Sequence, residues 1–160
     1  MIFYECYADE SLLRFLGFDS RKLKGGHSFG RRAVSKKLQK NHNCWALVDE
    51  DPGKAKDDYL REIFRNSFYE DANLLVSRDT QRGHKIIILR PDLENWVIRL
   101  ARDSKVSLNN SKYNLSSNAD QLHSQLSLRN NVRERRRFKE FMEEISTHKT
   151  IVKLKELIKN

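Results

Sequence analysis

Cys44-Trp45-Ala46-Leu47-Val48-Asp49-Glu50-Asp51-Pro52-Gly53 is the stretch on which the fold turns. Five apolar residues without a polar interruption read as a strand buried on both faces, as in a parallel sheet covered by helices. The run ends abruptly at three carboxylates, and Pro52-Gly53 marks a turn. Upstream, Ile2-Phe3-Tyr4-Glu5-Cys6-Tyr7-Ala8 is a second such run, broken only by Glu5, and predicts a first strand. Asp9 reads as the N-cap of a short helix whose Leu12, Leu13, Phe15 and Leu16 keep helical spacing until Gly17. A brief strand at Arg21–Lys24 is expected to lead through Gly25-Gly26-His27-Ser28-Phe29-Gly30 into a basic helix over Arg31–Lys40.

Working downstream, Tyr59, Leu60, Ile63 and Phe64 align on a helix expected over Asp57–Phe68, before strands at Asn73–Val76 and Lys85–Leu89. A further helix opens at Pro91, with Leu93, Trp96, Val97 and Leu100 on one face. Strands alternating with helices imply parallel pairing, right-handed crossovers and helices on both faces: an α/β protein with a central, mostly parallel sheet. Ser104–Asp120 is rich in Asn and Ser and reads as a connection. Phe138, Phe141, Met142 and Ile145, then Ile151, Leu154 and Ile158, mark two C-terminal amphipathic helices. The expected organisation is a domain over residues 1–103 and a basic helical extension over 104–160 packed on it. Trp45, Trp96, Phe138 and Phe141 sit at core periodicities and are assigned to packing.

A chain of 160 residues has room for one full core. It has no apolar stretch approaching about 18 residues, which excludes a membrane-spanning helix. The start lacks a basic segment followed by a longer apolar run, so a soluble, cytoplasmic protein is expected. Cys6 and Cys44 lie inside apolar runs without C-x-x-C spacing, which points to reduced thiols rather than a disulfide framework or a zinc site.

Charge is more informative. The net charge is +9, and residues 101–160 carry 13 Lys and Arg against 7 Asp and Glu. Such an excess favours a polyanionic partner, DNA or RNA, through phosphate contacts. The Arg133, Arg135, Arg136 and Arg137 cluster offers bidentate phosphate contacts, or is simply an exposed helix start. Arg31, Arg32 and Lys36 line the earlier basic helix, to grip a backbone or as a wetted face. His27, in its glycine-flanked loop, stands to meet a phosphate or serves no duty. Lys85 either reaches a scissile phosphate or is a solvated strand flank.

In open parallel sheets, ligands collect beyond the carboxyl ends of the strands. Glu5, Asp49 and Asp51 all belong to that edge. Asp49 and Asp51 are two residues apart, so in extended backbone both point to one side. Like charges so close resist joint ionisation unless a cation neutralises them, and a hard divalent ion such as Mg²⁺ (or Mn²⁺) suits carboxylate oxygens. The alternative is a solvated acidic turn and a salt-bridged Glu5.

These features resemble the Toprim family, the domain shared by type IA and type II topoisomerases, bacterial primases, ribosomal-RNA maturation nucleases and the overcoming-lysogenisation-defect nucleases. Over roughly residues 1–100, Glu5 stands where the family has a glutamate at the end of the first strand. Gly25–Gly30 stands for its glycine-containing second loop, and Asp49-Glu50-Asp51 for its D-x-D after the third strand. The resemblance implies a Rossmann-like Toprim fold, Mg²⁺ on Asp49 and Asp51, and Glu5 as general acid/base or additional ligand. Glu94 resembles the acidic residue that the lysogenisation-defect nucleases direct toward a second metal; otherwise it stabilises a helix N-terminus. No topoisomerase tyrosine, primase zinc module or ATPase accompanies these residues, so the implied activity is that of a metal-dependent nuclease. The rival is a non-catalytic nucleic-acid- or protein-binding subunit of a larger complex, for example a defence or toxin system.

Overall fold

The computed structural model describes residues 1–159. Its first strand, β1 (Ile2–Tyr4), is shorter than expected because the chain turns at once into α1 (Tyr7–Phe15). The cause is Asp9, which sits in the third position of the helix rather than at its cap. Its carboxylate accepts the backbone N–H groups of Glu5 and Cys6, both at 2.9 Å, and Cys6 becomes the cap. The strand expected at Arg21–Lys24 is a four-residue helix, α2 (Ser20–Leu23), because Asp19 caps it by accepting the Lys22 N–H at 3.0 Å. All that remains of that strand is a single parallel bridge between Tyr4 and His27.

The chain continues through α3 (Arg31–Lys40), β2 (Trp45–Asp49) and α4 (Asp58–Arg65) into a strand not expected from the sequence, β3 (Ser67–Glu70). Then follow β4 (Leu74–Asp79), β5 (His84–Leu89) and α5 (Leu93–Ser104). The sheet order is β1-β2-β5-β4-β3, with β1, β2 and β5 parallel and β4 antiparallel to both neighbours. The sheet is therefore mixed, not wholly parallel. The physical reason is connection length: Thr80–Gly83 and Asp71–Asn73 are too short for a parallel crossover, which needs about a dozen residues or more.

Strand residues alternate between two cores. Ile2, Tyr4, Leu47, Ile87 and Leu89 face α1, α5 and the C-terminal helices α6 (Ala119–Leu126), α7 (Val132–Glu144) and α8 (Lys149–Lys159). Phe3, Ala46, Val48, Ile86 and Ile88 face α3 and α4 through Val34, Leu38 and Ile63. This two-sided burial is what the unbroken apolar runs encode. The segment between α5 and α6 is irregular, yet it buries Leu108, Tyr113 and Leu115 in the first core, so the C-terminal helices share that core with the sheet. No helix among the described residues is long and apolar enough to cross a membrane. Both cysteines are free.

Candidate active site

β1 and β2 run parallel in neighbouring positions, and Glu5 and Asp49 stand at their carboxyl ends. β5 pairs with β2 on its other side, Leu89 opposite Asp49, and delivers the N-terminus of α5 to the same edge. The contacts follow from this register. Glu5 Oε1 accepts the Asp49 N–H at 3.0 Å, and Asp49 Oδ1 accepts the Leu93 N–H at 3.0 Å. Asp9 enters from α1 and is 3% exposed, while Glu94 enters from α5 and is 7% exposed. Four carboxylates from four elements thus share one edge of the sheet.

Their electrostatics record the crowding. The Asp49 carboxyl is pushed up to about 10, first by burial and then by Asp9, Glu5, Glu94 and Asp51. Asp9 rises to about 7 through burial and the charges of Glu5 and Glu94, against the Cys6 and Glu5 N–H bonds that favour its ionised form. Glu5 is raised by burial and by Asp51, while the Asp49 N–H, Arg31 and Lys54 work the other way.

Asp51 departs from the expected geometry. Its φ of 45° places it in the left-handed region, so the extended-backbone argument that would aim it alongside Asp49 does not apply. Its N–H donates to the Pro91 carbonyl at 2.9 Å, and its Oδ2 lies 3.1 Å from Lys54 Nζ and 3.7 Å from an Arg31 nitrogen. Between the two aspartates, Glu50 is held by Arg90 at 3.0 and 3.2 Å. Of the three consecutive acids, only Asp49 lacks a cationic partner within ion-pair distance among the described residues.

The candidate cationic residues divide sharply. Arg31 is 9% exposed, and its guanidinium donates to the carbonyls of Asp49, Glu50 and Ala55 at 3.2, 2.9 and 3.2 Å. It clamps the acidic loop rather than presenting a free contact. Arg32 and Lys36 are exposed on the same helix. Lys85 pairs with Trp45 at the start of the strands, four residues from the Asp49–Leu89 level, or about 13 Å at strand rise. Its Nζ rests 5.1 Å from the centre of the Trp45 ring, at the far end of the sheet, so the expectation that it reaches a phosphate at the carboxylates is corrected. Arg133 and Arg136 are exposed on α7, Arg137 is half-buried, and Arg135 donates to the carbonyls of Leu128 and Arg129.

The glycine loop lies directly against β1. A Cβ on Gly26 would come within 2.0 Å of the Ile2 carbonyl oxygen, so only glycine fits there. This approach seats His27 beside Tyr4 and Tyr7, with ring centres 5.8 and 4.5 Å away. Burial lowers the His27 pKa, with Glu10 and the Glu5 main chain opposing it.

Four residues at this edge carry no functional assignment from the sequence: Asp9, Tyr7, Phe29 and His123. His123 Nδ1, from α6, lies 2.7 Å from Glu94 Oε1. The legible clue was Phe29, an aromatic residue in a glycine-flanked loop outside any core periodicity.

The donor set suits a hard divalent cation in type and charge: carboxylate oxygens, buried at Asp9 and Glu94 and half-buried at Glu5 and Asp49, with none of the cations of the neighbouring loop on Asp49 or Asp9. Glu5, Asp9 and Asp49 each spend one oxygen on main-chain N–H groups, leaving the other without a hydrogen bond among the described residues. No three His, Cys, Asp or Glu side chains among the described residues already converge as a metal site. Binding would therefore reorient these side chains. A scan against protein-family models finds no match, and searches of curated proteins and of solved structures find none either.

Proposed function

We propose that the protein carries out metal-dependent phosphodiester chemistry on nucleic acid, as a nuclease of Toprim-like organisation. One observation carries the reading: Asp49 is half-buried against Glu5, Asp9 and Glu94 with no cation within ion-pair distance among the described residues, in a chain of net charge +9. Such an arrangement costs folding energy that a structural role does not require. The Toprim-like assignment is supported by the order of parts, with Glu5 after β1, the glycine loop against it and Asp49-Glu50-Asp51 after β2. The missing second strand and the mixed sheet are departures from that pattern.

In this reading Asp49 and Glu5 hold Mg²⁺ or Mn²⁺, with Glu94 and Asp51 flanking and Asp9 as a further carboxylate. A divalent ion bound there supplies Lewis acidity toward phosphate oxygens and neutralises the carboxylates. Glu5, with its raised pKa and its free Oε2, exchanges a proton with the attacking or leaving oxygen. Arg31 keeps the Asp49–Ala55 loop in place, and the basic surfaces of α3 and α7 bracket the charged backbone.

The second reading, a non-catalytic binding module that acts within a complex with protein partners, draws on the engagement of Asp51 by Arg31 and Lys54. One experiment separates the two. Purified protein is incubated with labelled single- and double-stranded DNA and RNA in Mg²⁺, Mn²⁺ or chelator, beside Asp49→Asn. Divalent-dependent cleavage that disappears in the variant supports the nuclease. Cleavage that survives the substitution, or binding indifferent to chelator with no cleavage, overturns it.

A further inference from the structure

α1 starts immediately after Glu5, and α7 packs along it. Between them lies a cleft of about 380 Å³ lined by Tyr7, Glu10, Arg14, Arg135, Arg136 and Lys139. Tyr7, Glu10 and Arg14 also line a second hollow that opens toward His27 and Lys24, so the two share one wall, the Tyr7–Arg14 face of α1, and form one furrow along that helix. Its single acid, Glu10, is spent: Oε1 pairs with Arg14 at 2.6 Å and Oε2 accepts the Tyr4 hydroxyl at 2.8 Å. Arg136 and Lys24 remain exposed, leaving the furrow cationic.

At its mouth stand three rings in sequence. Tyr7 lies 4.5 Å from His27, and His27 lies 4.2 Å from Phe29. Arg135 covers Tyr7 at 5.3 Å. Phe29 is 85% exposed, and its φ of 51° is a left-handed conformation that a bulky residue rarely adopts. No core packing explains that conformation, since the ring faces water; it holds an aromatic surface out at the end of the row.

We propose that this furrow is a track for single-stranded nucleic acid, with Arg136, Lys139 and Lys24 on the phosphates and unpaired bases stacked on the Phe29–His27–Tyr7 row. Charge selects a polyanion, and the exposed Phe29 ring, backed by the half-buried His27 and Tyr7, selects a polymer with free π-surfaces, which a duplex keeps inside its own stack. His27 serves as an aromatic surface, since burial disfavours its protonated form. Tyr7, at the mouth of the track, is two residues from Glu5 in the chain, and the track so names the substrate class of the proposed nuclease. It rests on that reading only for what happens after binding.

The test is therefore binding in chelator, where no cleavage is required. Fluorescence anisotropy is followed with short unstructured strands of DNA and of RNA and with the corresponding duplexes. The proteins are wild type, Phe29→Ala, Arg136→Glu and, as a control on the opposite face of the sheet, Arg65→Glu. Single strands should bind about tenfold more tightly than duplexes, and Phe29→Ala should weaken them about tenfold. Arg136→Glu should weaken binding and reduce the salt dependence by about 0.7 for each phosphate it no longer neutralises. Arg65→Glu should stay within about twofold, as distant surface sites do. Phe29 and Arg136 are exposed, so their variants should fold, which circular dichroism checks. Equal or tighter binding of duplex, indifference to Phe29→Ala, or equally good competition by polyglutamate would overturn the track. If the track fails while divalent-dependent cleavage is still lost in Asp49→Asn, the nuclease reading stands without it.

Discussion

Two aspartates, one buried and one half-buried, occupy opposite ends of the same sheet and live in opposite electrostatic worlds. Asp79, 7% exposed at the β4–β5 turn, accepts the N–H groups of Gln81 and Arg82, the Tyr59 hydroxyl and the Arg82 guanidinium. Burial raises its pKa, but these donors outweigh burial and lower it. Asp49 accepts one N–H, and burial and its carboxylate neighbours all push its pKa up, to about 10. Burial alone therefore does not decide which way an acid's pKa moves here; the supply of donors does. At the hairpin four donors meet the Asp79 carboxylate, whereas at the strand carboxyl ends one N–H meets that of Asp49 among the described residues.

The largest effect that would sharpen this contrast is kinetic. Glu5→Gln and Asp49→Asn should each lower divalent-dependent cleavage by about 10²–10⁴-fold in single-turnover assays, the usual range for losing a proton-transferring or charge-organising group. Asp79→Asn should leave the rate per folded molecule near wild type. Loss of activity in Asp79→Asn equal to that in Glu5→Gln would erase the distinction between the two ends.

Stability should show the reverse order. Asp79→Ala strands a guanidinium, a hydroxyl and two N–H groups, and should cost about 2–4 kcal/mol, lowering Tm by roughly 5–15 °C. Asp49→Asn removes a group that must hold a proton in the folded state and releases it on unfolding and, in chelator, should be neutral or raise stability by about 1–3 kcal/mol. The pH dependence follows from the same shifts. With Asp49 raised to about 10 and Asp9 to about 7, the folded protein keeps protons that the unfolded chain releases above about 4. Stability is thus fully present in acid and declines as pH rises toward those folded-state values. Urea titrations in chelator from about pH 5 to about pH 9 should show this decline in wild type and a flatter profile in Asp49→Asn. Adding Mg²⁺ at the alkaline end to ten times its Kd should restore about 1.4 kcal/mol. A wild-type profile that rises with pH would contradict the crowding of these carboxylates.

The parts of this contrast differ in how far they could be read in advance. Unbroken apolar runs located β1, β2 and β5, because strands buried on both faces have no polar alternation to disguise them. Glu5 and Asp49 were placed at one edge because each sits where such a run ends, and Glu94 was reached only through the family resemblance, at the start of the helix after β5. Asp9 escaped because an acid beside a helix start looks like a cap; here it caps backwards, from inside the helix. β3 escaped because the helical spacing of Tyr59, Leu60, Ile63 and Phe64 ran into Ser67 and Phe68, and its pairing with β4 contains a register shift. The four-residue α2 was lost to the cap at Asp19, a local bond that outweighs strand propensity. Asp51 was misdirected because a single left-handed residue ends the extended geometry on which its aim depended. His123 had no local signature, since its partner Glu94 is 29 residues earlier and only tertiary packing brings them together.

His123 tests whether the C-terminal helices merely cover the core or also serve the carboxylate edge. Among the described residues it is the one hydrogen-bond partner of the Glu94 carboxylate, at 2.7 Å, and it fixes the direction of that carboxylate. His123→Ala should reduce cleavage about tenfold and raise the Mg²⁺ concentration needed, as loss of an orienting neighbour does, with His123→Gln recovering part of the loss. An unchanged Mg²⁺ requirement in His123→Ala would confine the unanswered charge to Glu5, Asp9 and Asp49.

The smallest expected effect belongs to Lys85, and its smallness matters. It projects from the same sheet as Asp49 but from the end where Asp79 is satisfied, with its ammonium over Trp45. Lys85→Ala should therefore leave cleavage within about twofold and alter stability by no more than about 1 kcal/mol, the scale of a partly exposed cation–π contact. A larger loss of activity, measured beside Glu5→Gln at saturating Mg²⁺, would mean that substrate spans about 13 Å along the strands and touches both ends. The division between a closed end and an open one would then fail, because charge at the hairpin end would also be held for a ligand.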